Sequence, residues 1–347
     1  MGHEINLTNF TVRCDLISET IDNKEIKDIN IETKKYKDIR IERLNVKEDK
    51  SKVLNKKAGI YTTIFFNDIT DYENRNDVIT VVAKELYEIL KRKALLGKKV
   101  LIVGLGNELS TPDSLGPKTV KNIIVTRHLF NMEEIEVEEG YSNVSAFSPG
   151  VYAATGIESF DIIKGIVDVT KPDYIIAIDA LASSSIENVN KIIQITDSGI
   201  EPGSGIGNNR KELSAKLLSI PVIVIGVPTV VDAVTIVNDT ISFLVKKISY
   251  NIMNIDNPKC KLINPKNHNY LNINYSLDSQ ERKKYLGLLG ELKEHEIKEL
   301  LSEVLTPIGY NFIVTPKEVD FLIDKLAIII SKSINNVLHD AINKNNW

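Results

Sequence analysis

Three short apolar runs divide the middle of the chain, and each contains no charged residue. These runs cover residues 100–103, 174–178 and 222–225. Unbroken apolar runs of this length are typical of parallel strands that are buried on both faces. Helical patterns lie between and after them, at about 116–130, 156–170, 209–218 and 229–247. Strands that alternate with helices predict an α/β fold, with a mostly parallel twisted sheet and helices on both faces.

The N-terminal part of the chain gives weaker signals. Residues 1–35 are polar apart from a short apolar island at 10–17, so we expect an extension there rather than core. The segments 39–41 and 61–66 have the composition of strands. Asp77 precedes a run of apolar residues at helical spacing, and we expect it to cap a helix.

The C-terminal part divides into a polar stretch and a helical stretch. Residues from about 250 to 280 are rich in Asn and contain Pro258 and Pro265, which predicts an excursion over the surface. Two helices are expected at about 281–305 and 316–343. Together they form the predicted C-terminal helices of about 281–343. Because these helices are expected to pack back on the sheet, the sequence favours a single domain.

Composition narrows the class of protein. The 347 residues carry a net charge of −4, with Lys and Arg scattered, which argues against a dedicated nucleic-acid surface. Two cysteines, Cys14 and Cys260, are too few for a disulfide framework or a thiolate metal site. Neither a signal peptide nor an apolar stretch of membrane-spanning length is visible, so we expect a cytoplasmic protein without a membrane partner.

Candidate chemistry lies where the apolar runs end, because open parallel sheets bind ligands beyond the carboxyl ends of their strands. Asp113, Asp179 and Asp232 each follow one of these runs. Asp232 falls inside the predicted helix 229–247, where a structural role as a cap or ion-pair partner is expected.

Asp113 and Asp179 are the candidates for catalysis. Two carboxylates in one cleft titrate apart, so that one is protonated and the other ionised near neutral pH. Such a pair can activate a water molecule and protonate a leaving amine, as peptide hydrolysis requires. The residues alone leave a second interpretation equally open, in which each aspartate only caps the helix that follows it.

Other sites are less well supported by the sequence. Gly104 and Gly106 begin a dinucleotide-binding pattern, but Leu109 stands where the third glycine is required. The five histidines are scattered without metal-ligand spacing. The glycine-rich segment 197–208 suits a substrate-binding lip, and a plain surface loop is a comparable explanation.

Long ordered segments of the chain resemble the germination proteases of spore-forming Firmicutes. The matching segments are 104–117, 125–130, 156–159, 177–182, 197–208, 226–236 and 314–320. The family's two essential aspartates correspond to Asp113 and Asp179. Ser114 and Cys14 depart from the alanine and threonine that are common in the family, and neither change removes a carboxylate.

The resemblance implies a fold and an activity. The family has an α/β fold similar to hydrogenase-maturation peptidases and is classed as atypical aspartic endopeptidases, which need no metal or organic cofactor. Its members initiate the degradation of small acid-soluble spore proteins during germination, in the cytoplasmic spore core, and form homotetramers. They are made as zymogens. The resemblance places the cleavage between Asp15 and Leu16, which gives a propeptide of residues 1–15 and a peptidase domain of residues 16–347.

We also expect the bond between Asp15 and Leu16 to be accessible, because no regular structure is predicted around it. Two other functions stay open at this point. A peptidase like those of hydrogenase maturation would use a bound metal to recognise its substrate, so chelators would affect it. A binding or regulatory module would bind spore proteins without cleaving them.

Overall fold

The computed structural model describes residues 15–24, 30–132, 136–201, 211–256, 277–305 and 312–342. The chain forms two compact units. The larger unit holds the described residues of 13–183, 187–230 and 315–347, and the smaller holds those of 184–186 and 231–314. The assignment of residues 16–347 to one domain stays a prediction.

Nine strands are formed by the residues that the structure describes. They are β1 (Ile31–Tyr36), β2 (Ile39–Val46), β3 (Gly59–Phe65), β4 (Val100–Gly104), β5 (Val144–Phe147), β6 (Tyr174–Ser183), β7 (Ile192–Thr196), β8 (Val222–Asp232) and β9 (Ile313–Val314).

Helices connect most of these strands. They are α1 (Ile17–Lys24), α2 (Glu48–Leu54), α3 (Tyr72–Arg92), α4 (Leu115–Val120), α5 (Arg127–Phe130), α6 (Tyr152–Thr155), α7 (Ser159–Thr170), α8 (Ala215–Leu218), α9 (Ala233–Met253), α10 (Ser279–Leu286), α11 (Glu294–Leu305) and α12 (Val319–Leu338). Short 3₁₀ helices cover Thr111–Asp113, Gly287–Glu291 and Asp340–Ile342.

The sheet of the larger unit is mixed, with the strand order β1-β2-β3-β7-β8-β6-β4-β5. Strand β4 pairs in parallel with both β5 and β6. Strands β1, β2, β3, β7 and β8 pair antiparallel along the rest of the order. The α/β class is confirmed, and the expected parallel arrangement is found around β4, where helices connect the strands. Strands β1 and β2 form a hairpin with a short turn, for which antiparallel pairing is required.

Alternation along the central strands explains why helices cover both faces of this sheet. Residues of even number in β4 and β6, such as Ile102 and Ile176, pack with α3 and α12 in one buried cluster. Their odd-numbered neighbours, such as Leu101 and Ile175, pack with α7 in a second cluster. Successive side chains of a strand point to opposite faces, so both helical layers are expected for runs without polar residues.

The N-terminal region departs from the expected extension. Residues 17–24 form helix α1, and Ile17 and Ile21 are buried against Leu44, Leu54 and Tyr61. Residues 31–36 form β1, which pairs antiparallel with β2. The prediction of a polar extension over residues 1–35 is therefore wrong for these described parts. The few apolar side chains of α1 find their burial only on β2, α2 and β3, which sequence periodicity over so short a segment does not reveal.

Several helix boundaries also differ from the expected ones. Helix α3 begins after Asp71, whose side chain accepts a hydrogen bond from the backbone N–H of Asn74 at 2.9 Å, rather than after Asp77. The predicted helix 116–130 is divided into α4 and α5. In the described residues of 277–342 the C-terminal helices are α10, α11 and α12, the last beginning at Val319 rather than 316.

In the smaller unit, β8 continues to Asp232 where a helix from 229 was expected, and α9 begins at Ala233. The β-branched residues 230 and 231 favour the extended strand, whose last residues pair antiparallel with β9. Of the polar stretch 250–280, residues 257–276 lie outside the described residues. Among the helices that the structure describes, none is long and apolar enough to cross a membrane.

Candidate active site

Asp179 lies in β6 at the first position beyond the end of its neighbour β4. The parallel pairing of the two strands ends with Gly104 opposite Ile178, and the backbone N–H of Leu105 donates to the carbonyl of Ile178 at 2.8 Å. The sequence placed Asp179 directly after its strand, whereas β6 continues to Ser183. The carboxylate is therefore carried by the strand itself and not by a loop that follows it.

The carboxylate of Asp179 is almost entirely buried, with 5% of the residue exposed. Its Oδ1 accepts a hydrogen bond from the backbone N–H of Ala180 at 3.0 Å. An ionised carboxylate at this depth is costly to desolvate unless other groups stabilise it. Carboxylates buried among apolar residues are found most often at functional sites.

Asp113 lies in the 3₁₀ turn Thr111–Asp113, between β4 and α4, and is partly exposed. The backbone N–H of Asn107 donates to its Oδ2 at 2.9 Å and to its carbonyl oxygen at 3.0 Å. Its own N–H donates to the carbonyl of Ser110 at 2.8 Å. These bonds within the loop fix the direction of the carboxylate before any substrate arrives.

Glycine at position 106 allows the loop to hold Asp113 so closely. Gly106 has φ +111°, and an added Cβ would lie 2.0 Å from the carbonyl oxygen and 2.9 Å from Oδ1 of Asp113. Gly104 is equally restricted, since a Cβ there would lie 2.3 Å from the carbonyl oxygen of Gly116 in α4. Gly104 and Gly106, which resemble the start of a nucleotide-binding pattern, thus allow the strand, the loop and the helix to pack closely.

The structure brings the elements that carry the two predicted carboxylates together. The turn Thr111–Asp113 contacts β6, and Leu105, at the start of the same loop, is bonded to the residue before Asp179. Both aspartates therefore belong to one region, at the carboxyl end of the parallel strands. A carboxylate fixed on a turn that packs on the strand holding a second, buried carboxylate is an arrangement suited to general acid–base chemistry. The N-cap residue of α4 is Ser114 and not Asp113.

The predicted cleavage segment lies along the same strand. The N–H of Asp15 donates to the carbonyl of Ala182 at 3.1 Å, and the N–H of Ala182 donates to Oδ2 of Asp15 at 2.8 Å. Leu16 is fully buried and packs against Leu181 and Ile192. The expectation of an accessible segment without regular structure is wrong here, because an apolar residue after Asp15 is buried against β6 and α1 follows at once.

Asp232 and the glycine-rich segment have structural roles in the residues described. Oδ1 of Asp232 caps α9 by accepting from the N–H of Val234 at 2.6 Å, which confirms the expected capping role. At the start of the glycine-rich segment, Asp197 accepts from the N–H of Ile60 at 2.7 Å and pairs with Lys93 at 2.8 Å. Residues 202–210 lie outside the described residues, so the substrate-lip hypothesis stays a prediction.

Sequence reasoning missed two groups near the site. Asn107 holds Asp113 through its backbone, a role that no side-chain pattern can signal. Glu19, in α1, is 5% exposed and accepts hydrogen bonds from Ser183 in β6 and from Asn188. In the sequence, Glu19 is marked only by its place two residues after the apolar pair at 16 and 17. In the part of the chain that the structure describes, no three His, Cys, Asp or Glu side chains are grouped to hold a metal ion.

Comparison with known proteins identifies the family. The family model described as "Germination protease" (Peptidase_A25) matches residues 10–347. A germination protease of Bacillus licheniformis is 44% identical to this chain, covering 99% of it and 97% of the relative. That of Bacillus subtilis (strain 168) is 41% identical, covering 99% of this chain and 97% of the relative.

A solved structure of the hydrogenase maturation protease HycI from Thermococcus kodakarensis KOD1 is also similar to part of the chain. The two share 14% sequence identity, the match covers 38% of this chain and 74% of that one, and the TM-score is 0.24.

The α/β fold and the full-length family match define the chain as a peptidase. More particularly, it belongs to the germination protease family, the proteases that act in spore germination.

Proposed function

We propose that this protein is an atypical aspartic endopeptidase in which Asp113 and Asp179 activate the attacking water. The observation that carries the proposal is the packing of the turn Thr111–Asp113 against β6, the strand that holds Asp179. Membership of a protease family supports peptide hydrolysis as the reaction. The same two residues match the family's aspartates in the sequence.

In the proposed reaction the two carboxylates share the proton transfers. One, ionised, takes a proton from the water whose oxygen attacks the scissile carbonyl carbon. The other, protonated, donates its proton to the amine that leaves when the C–N bond breaks. Carboxylates held close together titrate apart, which provides one group in each state. Which aspartate takes which role follows from their coupled titration rather than from either residue alone.

The proposed substrates are the small acid-soluble spore proteins, whose degradation this enzyme would initiate during germination in the cytoplasmic spore core. The family's name and the near full-length similarity to the Bacillus germination proteases support this assignment. We propose a homotetramer that needs no cofactor or metal and makes no direct contact with nucleic acid. The net charge of −4, with its basic residues scattered, is consistent with a protein substrate rather than a nucleic acid.

Asparagine at either position tests the pair. Asp113→Asn and Asp179→Asn keep the shape of the side chain but remove the ionisable group, so kcat on a purified small acid-soluble spore protein should fall by about 1,000-fold or more. Asp161→Asn is a matched control, because Asp161 is exposed and pairs only on the surface with Lys211. The control should keep wild-type kcat. Full cleavage by both single variants, with folding unchanged, would rule out the proposed pair.

Self-processing between Asp15 and Leu16 is the second part of the proposal. Residues 1–15 are the proposed propeptide, and the hydrogen bonds between Asp15 and Ala182 keep the bond next to β6. Purified full-length protein held at mildly acidic pH should yield a new N-terminus at Leu16 by N-terminal sequencing. The Asp179→Asn variant should stay intact. A stable Met1, or a cut at another bond, contradicts the proposal.

A further inference from the structure

Glu19 is a buried carboxylate that lies outside the proposed catalytic pair. It occupies the first turn of α1 and is 5% exposed. The hydroxyl of Ser183 donates a short hydrogen bond to its Oε1, and Nδ2 of Asn188 donates to the same oxygen at 2.7 Å. Burial keeps water from competing for these hydrogen bonds and strengthens them.

Glu19 and its neighbours contact residues on the face of β6 that carries Asp179. Because side chains alternate along a strand, Asp179, Leu181 and Ser183 share one face. Leu181 packs against the buried Leu16. Ser183 is bonded to Glu19. The N-terminal segment thus fixes the two same-face positions that follow Asp179.

A further hydrogen bond fixes the start of α1 itself. The N–H of Ile17 donates to Oε1 of Gln194, in β7, at 2.9 Å. Ile17 and Ile21 are also buried against β2, α2 and β3. Helix α1 is therefore anchored to the sheet, and the carboxylate of Glu19 can hold Ser183 in place.

We propose that Glu19 is a positioning residue for the protease reaction: its carboxylate, acting through Ser183, fixes the end of β6 and with it the direction of Asp179. This inference rests on the proposed role of Asp179. Catalytic groups must be held to a fraction of an ångström, and supporting hydrogen bonds provide that restraint. Because Glu19 follows the bond between Asp15 and Leu16, it remains in the processed chain and acts in the active enzyme.

The test compares variants of the full-length protein after self-processing, with kcat and KM for a purified small acid-soluble spore protein expressed per processed, folded chain. Glu19→Ala removes the acceptor, and kcat should fall about 10- to 100-fold while KM changes less than about 2-fold. Glu19→Gln keeps an oxygen that can accept from Ser183 and should restore kcat to within about 5-fold of wild type.

Thr20→Val is the matched control. Thr20 is the next residue of α1 and is also buried, and its hydroxyl donates within the N-terminal segment to the carbonyl of Leu16 at 2.9 Å. This variant should keep kcat within about 2-fold of wild type. Equal losses of kcat in Thr20→Val and Glu19→Ala would show a general weakening of α1 and overturn the proposal.

Ser183→Ala keeps the test decisive if Glu19→Ala fails to fold. It removes only the hydroxyl that links Glu19 to β6, leaves the bond from Asn188 in place, and should lower kcat about 5- to 20-fold. Wild-type kcat in Ser183→Ala, or a rise in KM without a fall in kcat, overturns the inference. These results are distinct from failure of the proposed function, in which the wild-type protein itself would not cleave the spore protein.

Discussion

The parallel and antiparallel parts of the sheet have different roles. Around β4, parallel strands end at the same side, so the loop after β4 and the end of β6 lie together and bring Asp113 and Asp179 into one region. In the hairpin of β1, β2 and β3, neighbouring strands run in opposite directions and their ends alternate. In this antiparallel part the carboxyl ends of neighbouring strands therefore lie on opposite sides. The antiparallel part supplies the surface on which α1 is buried.

This difference teaches where substitutions should affect catalysis and where they should affect stability. In the loop that holds Asp113, Gly106 has positive φ and leaves no room for a Cβ beside the Asp113 backbone. In the antiparallel part, Arg43 of β2 forms an ion pair with the buried Glu85 of α3. We therefore expect a change in the first region to lower kcat, and a change in the second to lower the free energy of unfolding.

Among the variants that compare the two parts of the sheet, the largest effect is expected for Gly106→Ala. Its φ of +111° disfavours alanine, and the new Cβ would meet the carbonyl oxygen of Asp113 at 2.0 Å, which displaces the carboxylate. We expect kcat/KM to fall at least about 100-fold. Gly97→Ala is the control, because Gly97 also has positive φ (+70°) but nothing lies within 4 Å of an added Cβ. It should cost about 1 kcal/mol of stability and leave kcat unchanged. Similar kinetics in the two variants would contradict the proposed loop geometry.

In the antiparallel part, Arg43→Ala should reduce stability without reducing kcat per folded chain. Nε and Nη2 of Arg43 donate to the two oxygens of Glu85 at 2.7 and 2.8 Å. The side chain of Glu85 is only 4% exposed, so removing its partner leaves a buried charge and should cost about 2 kcal/mol in urea unfolding. Lys34→Ala removes an exposed ion pair with Glu32 and should leave the free energy of unfolding close to that of the wild type. A loss of kcat in Arg43→Ala would show that the two parts of the sheet are not functionally separate.

The smallest effect concerns His339, which packs at the β5 side of the parallel part. Burial lowers the pKa of His339, although its hydrogen bond to the carbonyl of Ile124 at 3.1 Å acts in the opposite direction. The unfolded chain therefore binds a proton at a higher pH than the folded chain. Stability should fall as the pH drops below about 6.5, by at most about 1.4 kcal/mol per pH unit for this proton.

His339→Gln should reduce that slope, measured by urea unfolding at several pH values between about 7 and 5. His128 is exposed on α5, so His128→Gln serves as the control and should keep the wild-type slope. An unchanged slope in His339→Gln would show that the protonation of this histidine does not differ between the folded and unfolded states.

The sequence by itself determined the central strands and the two candidate aspartates. Apolar runs such as 100–103 leave no polar face, so a strand buried between two helical layers is the stable outcome. Asp179, directly after the run 174–178, stands out for the same reason. A structural role of Asp232, as a cap or as an ion-pair partner, is also predicted from the sequence, although the pattern places it inside a helix and the structure places it at the N-cap of α9.

Only the tertiary structure decided how the N-terminal segment and the antiparallel strands are used. Helix α1 is too short for its own sequence to stabilise it, and Ile17 and Ile21 are buried because β2, α2 and β3 provide a surface. The hydrogen bond between Ser183 and Glu19 joins residues 164 positions apart. Asn107 holds the carboxylate of Asp113 through its own backbone N–H. Sequence patterns report which local structures are favourable, whereas contacts between distant segments and between backbone groups exist only once the chain has folded.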